Sequence, residues 1–238
     1  MNASIKLAFS LLVLFVAFTA RADVPVGDRA LVVIANLSSR GAAILRGMYR
    51  NEEWKAVRVA VSETNGYYRQ VRVIYPQEAT RGNFLGALED LELDPTVKVI
   101  DVVTYLHGQR EKICFKDTPD CYAMTDLARE IRDLRSDGGH GPHKLRALYS
   151  DACWGKTHTD EWIQAGFKVV AGAIGQDANK TIDLKKFLRA WTDGATYRRS
   201  IQKANSAWYA KPLDWIIGGN SRKVMVGNGD LTLDSGIE

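Results

Sequence analysis

Several things are scarce or missing in this sequence of 238 residues, and each absence narrows what it can be. Past residue 22 there is no apolar run near the roughly 20 residues that a membrane-spanning helix needs. There is no block of like charge. The 32 Lys and Arg and 28 Asp and Glu are scattered, which leaves no footprint for nucleic acid or for a membrane surface. Internal repeats and low-complexity tracts are absent, so neither a solenoid nor a compositional linker is at hand. Histidine is limited to four residues. Two of them, His140 and His143, share a glycine-rich loop, and a metal needs more ligands than that pair. Nothing calls for a cofactor, and a calcium requirement has no readable signature. Oligomeric state has none either.

What is present starts with Lys6, an apolar run from Leu7 to Phe18 broken only by Ser10, and Ala20-Arg21-Ala22 in the pattern of a cleavage site. The run is too short for a bilayer span. The pattern predicts a signal peptide over 1–22, removed on export to a periplasmic or extracellular space. Residues 23–238 are enough for a single well-buried domain. Export changes how the three cysteines read. In an oxidising compartment, Cys114 and Cys121 can close a small loop, worth about 2–3 kcal/mol in the entropic model. Cys153 is then the odd thiol. The alternative is that all three are small apolar fillers.

β-Branched runs alternate with helical patterns. The strand runs are Leu31–Ala35, Val71–Tyr75, a stretch within Val97–Leu106, Leu145–Tyr149, Phe167–Ala171 and Lys223–Val226. Between them, Ala42–Val61, Thr80–Leu91, Asp126–Leu134, Leu184–Trp191 and Tyr197–Trp208 carry helical spacing. This alternation predicts an α/β fold with a mainly parallel six-stranded sheet and helices on both faces. Ligands of such sheets bind beyond the carboxyl ends of the strands.

Two strand ends carry chemistry. The third runs into His107-Gly108, and the fourth into Asp151-Ala152-Cys153-Trp154-Gly155. Neighbouring strands lie about 5 Å apart, so their loops can bring an imidazole to a thiol. The thiolate is a nucleophile, and an imidazole promotes its formation or protonates a leaving group. The following glycines allow sharp turns and close approach, and free N–H groups there could stabilise an oxyanion. A lone His or Cys at a strand end can equally be structural. His158 reads as a helix-start residue near the thiol. Asp160 and Glu161 suit the positive end of the helix after it. Trp208, Tyr209 and Trp215 around Pro212 could wall a groove or pack as core.

These segments resemble the caspase-like cysteine peptidases, the group of caspases, metacaspases, legumains, clostripain and gingipains. The shared features are His107-Gly108 after an apolar third strand, and Cys153 with Gly155 close behind it after the next. The His-to-Cys separation is close to the roughly 50 residues of caspases. Thr80–Leu91 and Gly166–Gly172 add to the likeness, which covers about residues 30–210. It implies a three-layer sandwich with strand order 2-1-3-4-5-6. It implies Cys153 as nucleophile, His107 as acid and base, and the N–H groups of Gly108 and Cys153 as oxyanion donors. Asp151 departs from the glutamine of caspases and matches the aspartate of metacaspases, which lines the pocket for the residue before the scissile bond. A carboxylate there favours Arg or Lys. Asp151 as a loop cap is the local alternative. Asp177, past the fifth strand, is a second candidate for that pocket or a turn residue.

The expectation is therefore an exported cysteine endopeptidase acting on a peptide or protein, with a preference for basic residues. A catalytically silent protein binding a peptide or partner through the same cleft is the alternative. An α/β-hydrolase-like esterase fits less well: Asp151 stands where the first glycine of a Gly-x-Ser-x-Gly elbow belongs, and no histidine follows His158.

Overall fold

The computed structural model describes residues 23–39, 46–177, 181–206, 214 and 219–237. The segment 1–22, read in the sequence as a signal peptide, and the aromatic segment with Trp208, Tyr209, Pro212 and Trp215 lie outside the described residues. In chain order, the first half gives β1 (Arg29–Asn36), α1 (Arg46–Thr64), β2 (Gln70–Ile74), α2 (Arg81–Leu93) and β3 (Val99–Gln109). Short pieces follow: β4 (Lys112–Cys114), β5 (Tyr122–Ala123), α3 (Met124–Arg132), β6 (Arg135–Ser136) and β7 (Gly139–His140). The second half gives β8 (Leu145–Ser150), α4 (Thr159–Gln164), β9 (Val169–Ala173), α5 (Thr181–Thr192), α6 (Tyr197–Asn205) and β10 (Lys223–Gly227).

The main sheet runs β10-β9-β8-β3-β1-β2. All its pairings are parallel except β9 with β10. This is the order expected from the resemblance. Strand β1 shows why its sequence is apolar throughout. Ala30, Val32 and Ile34 face one cluster, and Leu31, Val33 and Ala35 face the other, as the two-residue period of a strand covered on both faces requires. Phe84, Leu88 and Leu91 of α2, Leu127 of α3 and Trp162 of α4 fill the first layer. Ala56 and Ala60 of α1, Phe187 and Trp191 of α5 and Ile201 of α6 fill the second. Each large side chain buried there contributes roughly 1.5–3 kcal/mol. Thr80 caps α2, accepting a hydrogen bond from the Asn83 N–H at 3.1 Å.

Several boundaries differ from the sequence expectation, and three have a clear local cause. Strand β3 extends through His107 and Gly108 instead of ending before them, because β4 folds back antiparallel and pairs Cys114 with His107. Strand β9 starts at Val169, two residues late. Gly166 takes φ 118°, and the Phe167 N–H still reaches back to the Trp162 carbonyl at 3.3 Å. Helix α1 runs on to Thr64, where Gly66 at φ 80° ends it.

Candidate active site

The register of β3 and β8 places two side chains on neighbouring segments of the chain. Thr104 pairs with Ser150, and His107 and Cys153 each follow three residues later. The Asp151 N–H donates to the Thr104 carbonyl at 2.8 Å, which carries the pairing past the end of β8. Beyond it the two segments press together at Gly108. A Cβ there would overlap the Cys153 carbonyl oxygen and come within 3.1 Å of the His158 ring. Glycine is what permits this approach.

His107 is half-buried, with Nε2 2.7 Å from the Leu37 carbonyl. A carbonyl can only accept, so Nε2 carries the hydrogen. In the neutral ring Nδ1 then holds the basic lone pair. Leu37 is itself fixed. The buried Glu53 carboxylate on α1 accepts from the Leu37 and Ser38 N–H groups at 2.8 and 2.9 Å and from Ser38 Oγ at 2.6 Å. Tyr49, also on α1, meets the imidazole edge-on at 5.1 Å. Helix α1 therefore sets the tautomer through the end of β1. Sequence reading missed Glu53, although a glutamate on the buried face of a helix is a signal.

Cys153 is a free, half-buried thiol. Trp154 after it adopts φ 58° and ψ 20°, a left-handed backbone that costs a bulky residue about 1–2 kcal/mol. The turn is secured by the Trp154 N–H on the Gly175 carbonyl at 2.7 Å and by the Gly155 N–H on the Ala152 carbonyl at 3.1 Å. Gly155 lies against Gly172 of β9, where a Cβ would overlap it. The Asp177 N–H points at Sγ, 3.3 Å away. Burial pushes the Cys153 thiol above its ordinary value, and that N–H offsets only part of the rise. The resting group is a thiol, and its use as a nucleophile needs a base.

Asp151 and Asp177 are brought together, and both carboxylates pair with the ammonium of Lys223, the first residue of β10. All three side chains are buried. Burial first, then the Asp177 charge, holds the Asp151 carboxyl well above the usual range. Asp151 Oδ2 has no hydrogen-bond partner. Against the lowering effect of burial, the two carboxylates keep Lys223 above its ordinary value. Asn205 brackets the Lys223 backbone, accepting from its N–H at 2.7 Å and donating to its carbonyl at 2.8 Å. Sequence reading took Lys223 only as the start of a strand.

His158 is fully buried in the turn after Cys153, with Nε2 2.7 Å from the Gln109 carbonyl. It ties that turn to the end of β3, and burial lowers its pKa. Cys114 and Cys121 are joined in a disulfide. His143 lies 2.9 Å from Asp137, away from the thiol. Among the described residues no group of three or more side chains suits a metal ion, and no helix is long and apolar enough to cross a membrane.

No protein-family model matches the chain, and no curated protein matches it in sequence. Solved structures do match. A secreted C11 cysteine protease from Bacteroides thetaiotaomicron, in complex with an irreversible peptide inhibitor, aligns with a TM-score of 0.53 and 9% identity, over 78% of this chain and 59% of that one. A second structure of a secreted C11 protease from that organism, iotapain, gives 0.50 and 11% over 76% and 61%. The Arg-specific cysteine proteinase gingipain R gives 0.55 and 10% over 89% of this chain and 49% of that one. The chain thus spans about half to three fifths of these proteins. At such identity the likeness shows architecture: a six-stranded, mainly parallel sheet between two helical layers, which is the caspase-like fold.

Proposed function

We propose that the protein is a cysteine endopeptidase in which Cys153 is the nucleophile and His107 the acid and base. The observation that carries this reading is a free thiol just past the end of β8 and an oriented imidazole on the neighbouring strand β3, with the two segments in close approach at Gly108. In the mechanism, His107 Nδ1 takes the thiol proton as Sγ attacks the peptide carbonyl. The N–H groups of Gly108 and Cys153 stabilise the oxyanion. His107 then protonates the departing amine, and water hydrolyses the thioester. Export after removal of 1–22 and a single domain over 23–238 belong to the same reading.

The finer expectation, cleavage after a basic residue, has support in the two carboxylates beside the thiol, which already hold one ammonium. The gingipain of the same fold is Arg specific. The silent alternative draws on one fact, the burial that keeps Cys153 protonated. A thiol-directed peptidyl probe ending in arginine separates the two. Labelling of Cys153, with turnover of the matching peptide lost in Cys153→Ala, supports the peptidase. A folded protein whose Cys153 stays unlabelled supports the silent binder.

A further inference from the structure

We propose that Lys223 is an internal occupant of the substrate pocket, holding the place of a basic side chain and setting how tightly an incoming one binds. The inference rests on the reading of Asp151 and Asp177 as pocket residues and names the residue that tunes them.

Three observations converge on it. The first is stoichiometry: two buried carboxylates share one cation, whereas a purely structural pair needs only one of them. The second is place. Asp151 stands two residues before Cys153, and the Asp177 backbone touches the thiol sulfur. The cation of the cluster is therefore held where a side chain flanking the scissile bond would need to go. The third is incompleteness. Asp151 Oδ2 is buried without a partner. A guanidinium brings five donors in a planar fork, and an ammonium brings three from one point, so arginine would satisfy the pair better than lysine does.

Lys223 also comes from an edge element. Among the described residues, strand β10 lies at the sheet edge and pairs with β9 alone. A bound basic side chain has to displace the Lys223 ammonium, and apparent affinity falls by the fraction of time the pocket is vacated. Lys223 would then be a specificity-determining residue that penalises basic substrates without forbidding them, favouring arginine over lysine in the exchange.

The test measures binding of N-acetyl-arginine amide by calorimetry in a Cys153→Ala background, with and without Lys223→Met. Affinity should rise about 10-fold or more when Lys223 is removed, as for a pocket otherwise open about a tenth of the time. Lys223→Gln removes the cation, keeps both pocket acids and leaves an amide that can donate to them, and should move affinity in the same direction. It serves where Lys223→Met fails to fold. Unchanged or weaker binding in a folded variant would make Lys223 a structural counter-ion and end the proposal. The two readings fail separately. Tighter arginine binding with no probe labelling of Cys153 in the intact protein keeps the pocket and removes the peptidase. Labelling and turnover with unchanged arginine affinity keep the peptidase and remove the occupant.

Discussion

Two buried ionic clusters sit along β8, and they are built differently. Near its start, Arg146 meets Asp101 with Nε–Oδ1 at 3.0 Å and Nη2–Oδ2 at 2.6 Å. Its Nη1 donates to the Leu233 and Ser235 carbonyls at 2.6 Å each. Tyr68 adds a hydroxyl to Asp101 at 2.6 Å. One cation balances one anion, and the chain end is pinned in the process. Just past the other end of the strand, one cation faces two acids and an oxygen is left over. The first cluster follows the rule that buried charges are matched and bonded. The second breaks it beside the only free thiol among the described residues. On the proposed reading, balance marks scaffolding, and surplus acid marks a place prepared for something positive.

The largest effect that would sharpen this contrast is catalytic. Cys153→Ala should lower peptide turnover about a thousandfold or more, and His107→Ala by about 10²–10⁴, with melting temperature nearly unmoved. A Cys153→Ala protein that cleaves at the parent rate would sink the mechanism. Next comes Arg146→Met, which strands Asp101 without a cation. It should cost about 3–5 kcal/mol in urea unfolding while leaving Cys153 alkylation of the folded protein unchanged. Replacing both Cys114 and Cys121 by alanine should cost about 2–3 kcal/mol, read the same way.

A subtler probe is Asp151→Asn. Cleavage after arginine should fall at least about 10-fold, since a charged hydrogen bond is worth about 1.5–3 kcal/mol. The same variant has a signed pH effect. The folded-state pKa of Asp151 is raised by burial. The unfolded chain therefore releases that proton first, and stability drains as pH rises above the ordinary carboxylate range. Asp151→Asn should lose less stability than the parent between pH 4 and 7. Equal slopes would place the carboxylate in a balanced cluster like that of Arg146. The smallest effect is kinetic: iodoacetamide should react with Cys153 several-fold more slowly at pH 7 than with an exposed cysteine. A rate above that of an exposed thiol would mean a thiolate held ready.

How much of this could be read beforehand depended on range. The strands were legible because a sheet covered on both faces demands unbroken apolar runs, as in Leu31–Ala35. His107 and Cys153 were legible because glycine and a strand end mark each of them locally. Lys223 was not, since it lies 72 residues from Asp151 and only the antiparallel turn of β10 onto β9 brings it there. Glu53 acts on Leu37 and Ser38 from 16 and 15 residues away, announced only by its place on the buried face of α1. The left-handed backbone at Trp154 goes against that residue's own preference and follows from its bond to Gly175.

The contact between Gly108 and the Cys153 carbonyl also has a consequence for timing. It exists only when β3 and β8 have paired, and parallel, non-local pairings of this kind form slowly. Before that event the chain contains the thiol and the imidazole but no site. On the peptidase reading, a nascent or translocating polypeptide is harmless to the machinery that handles it, and cleavage begins only after the sheet has closed. Such a protein would need no separate inhibitor during its own synthesis, because incomplete folding keeps it inactive.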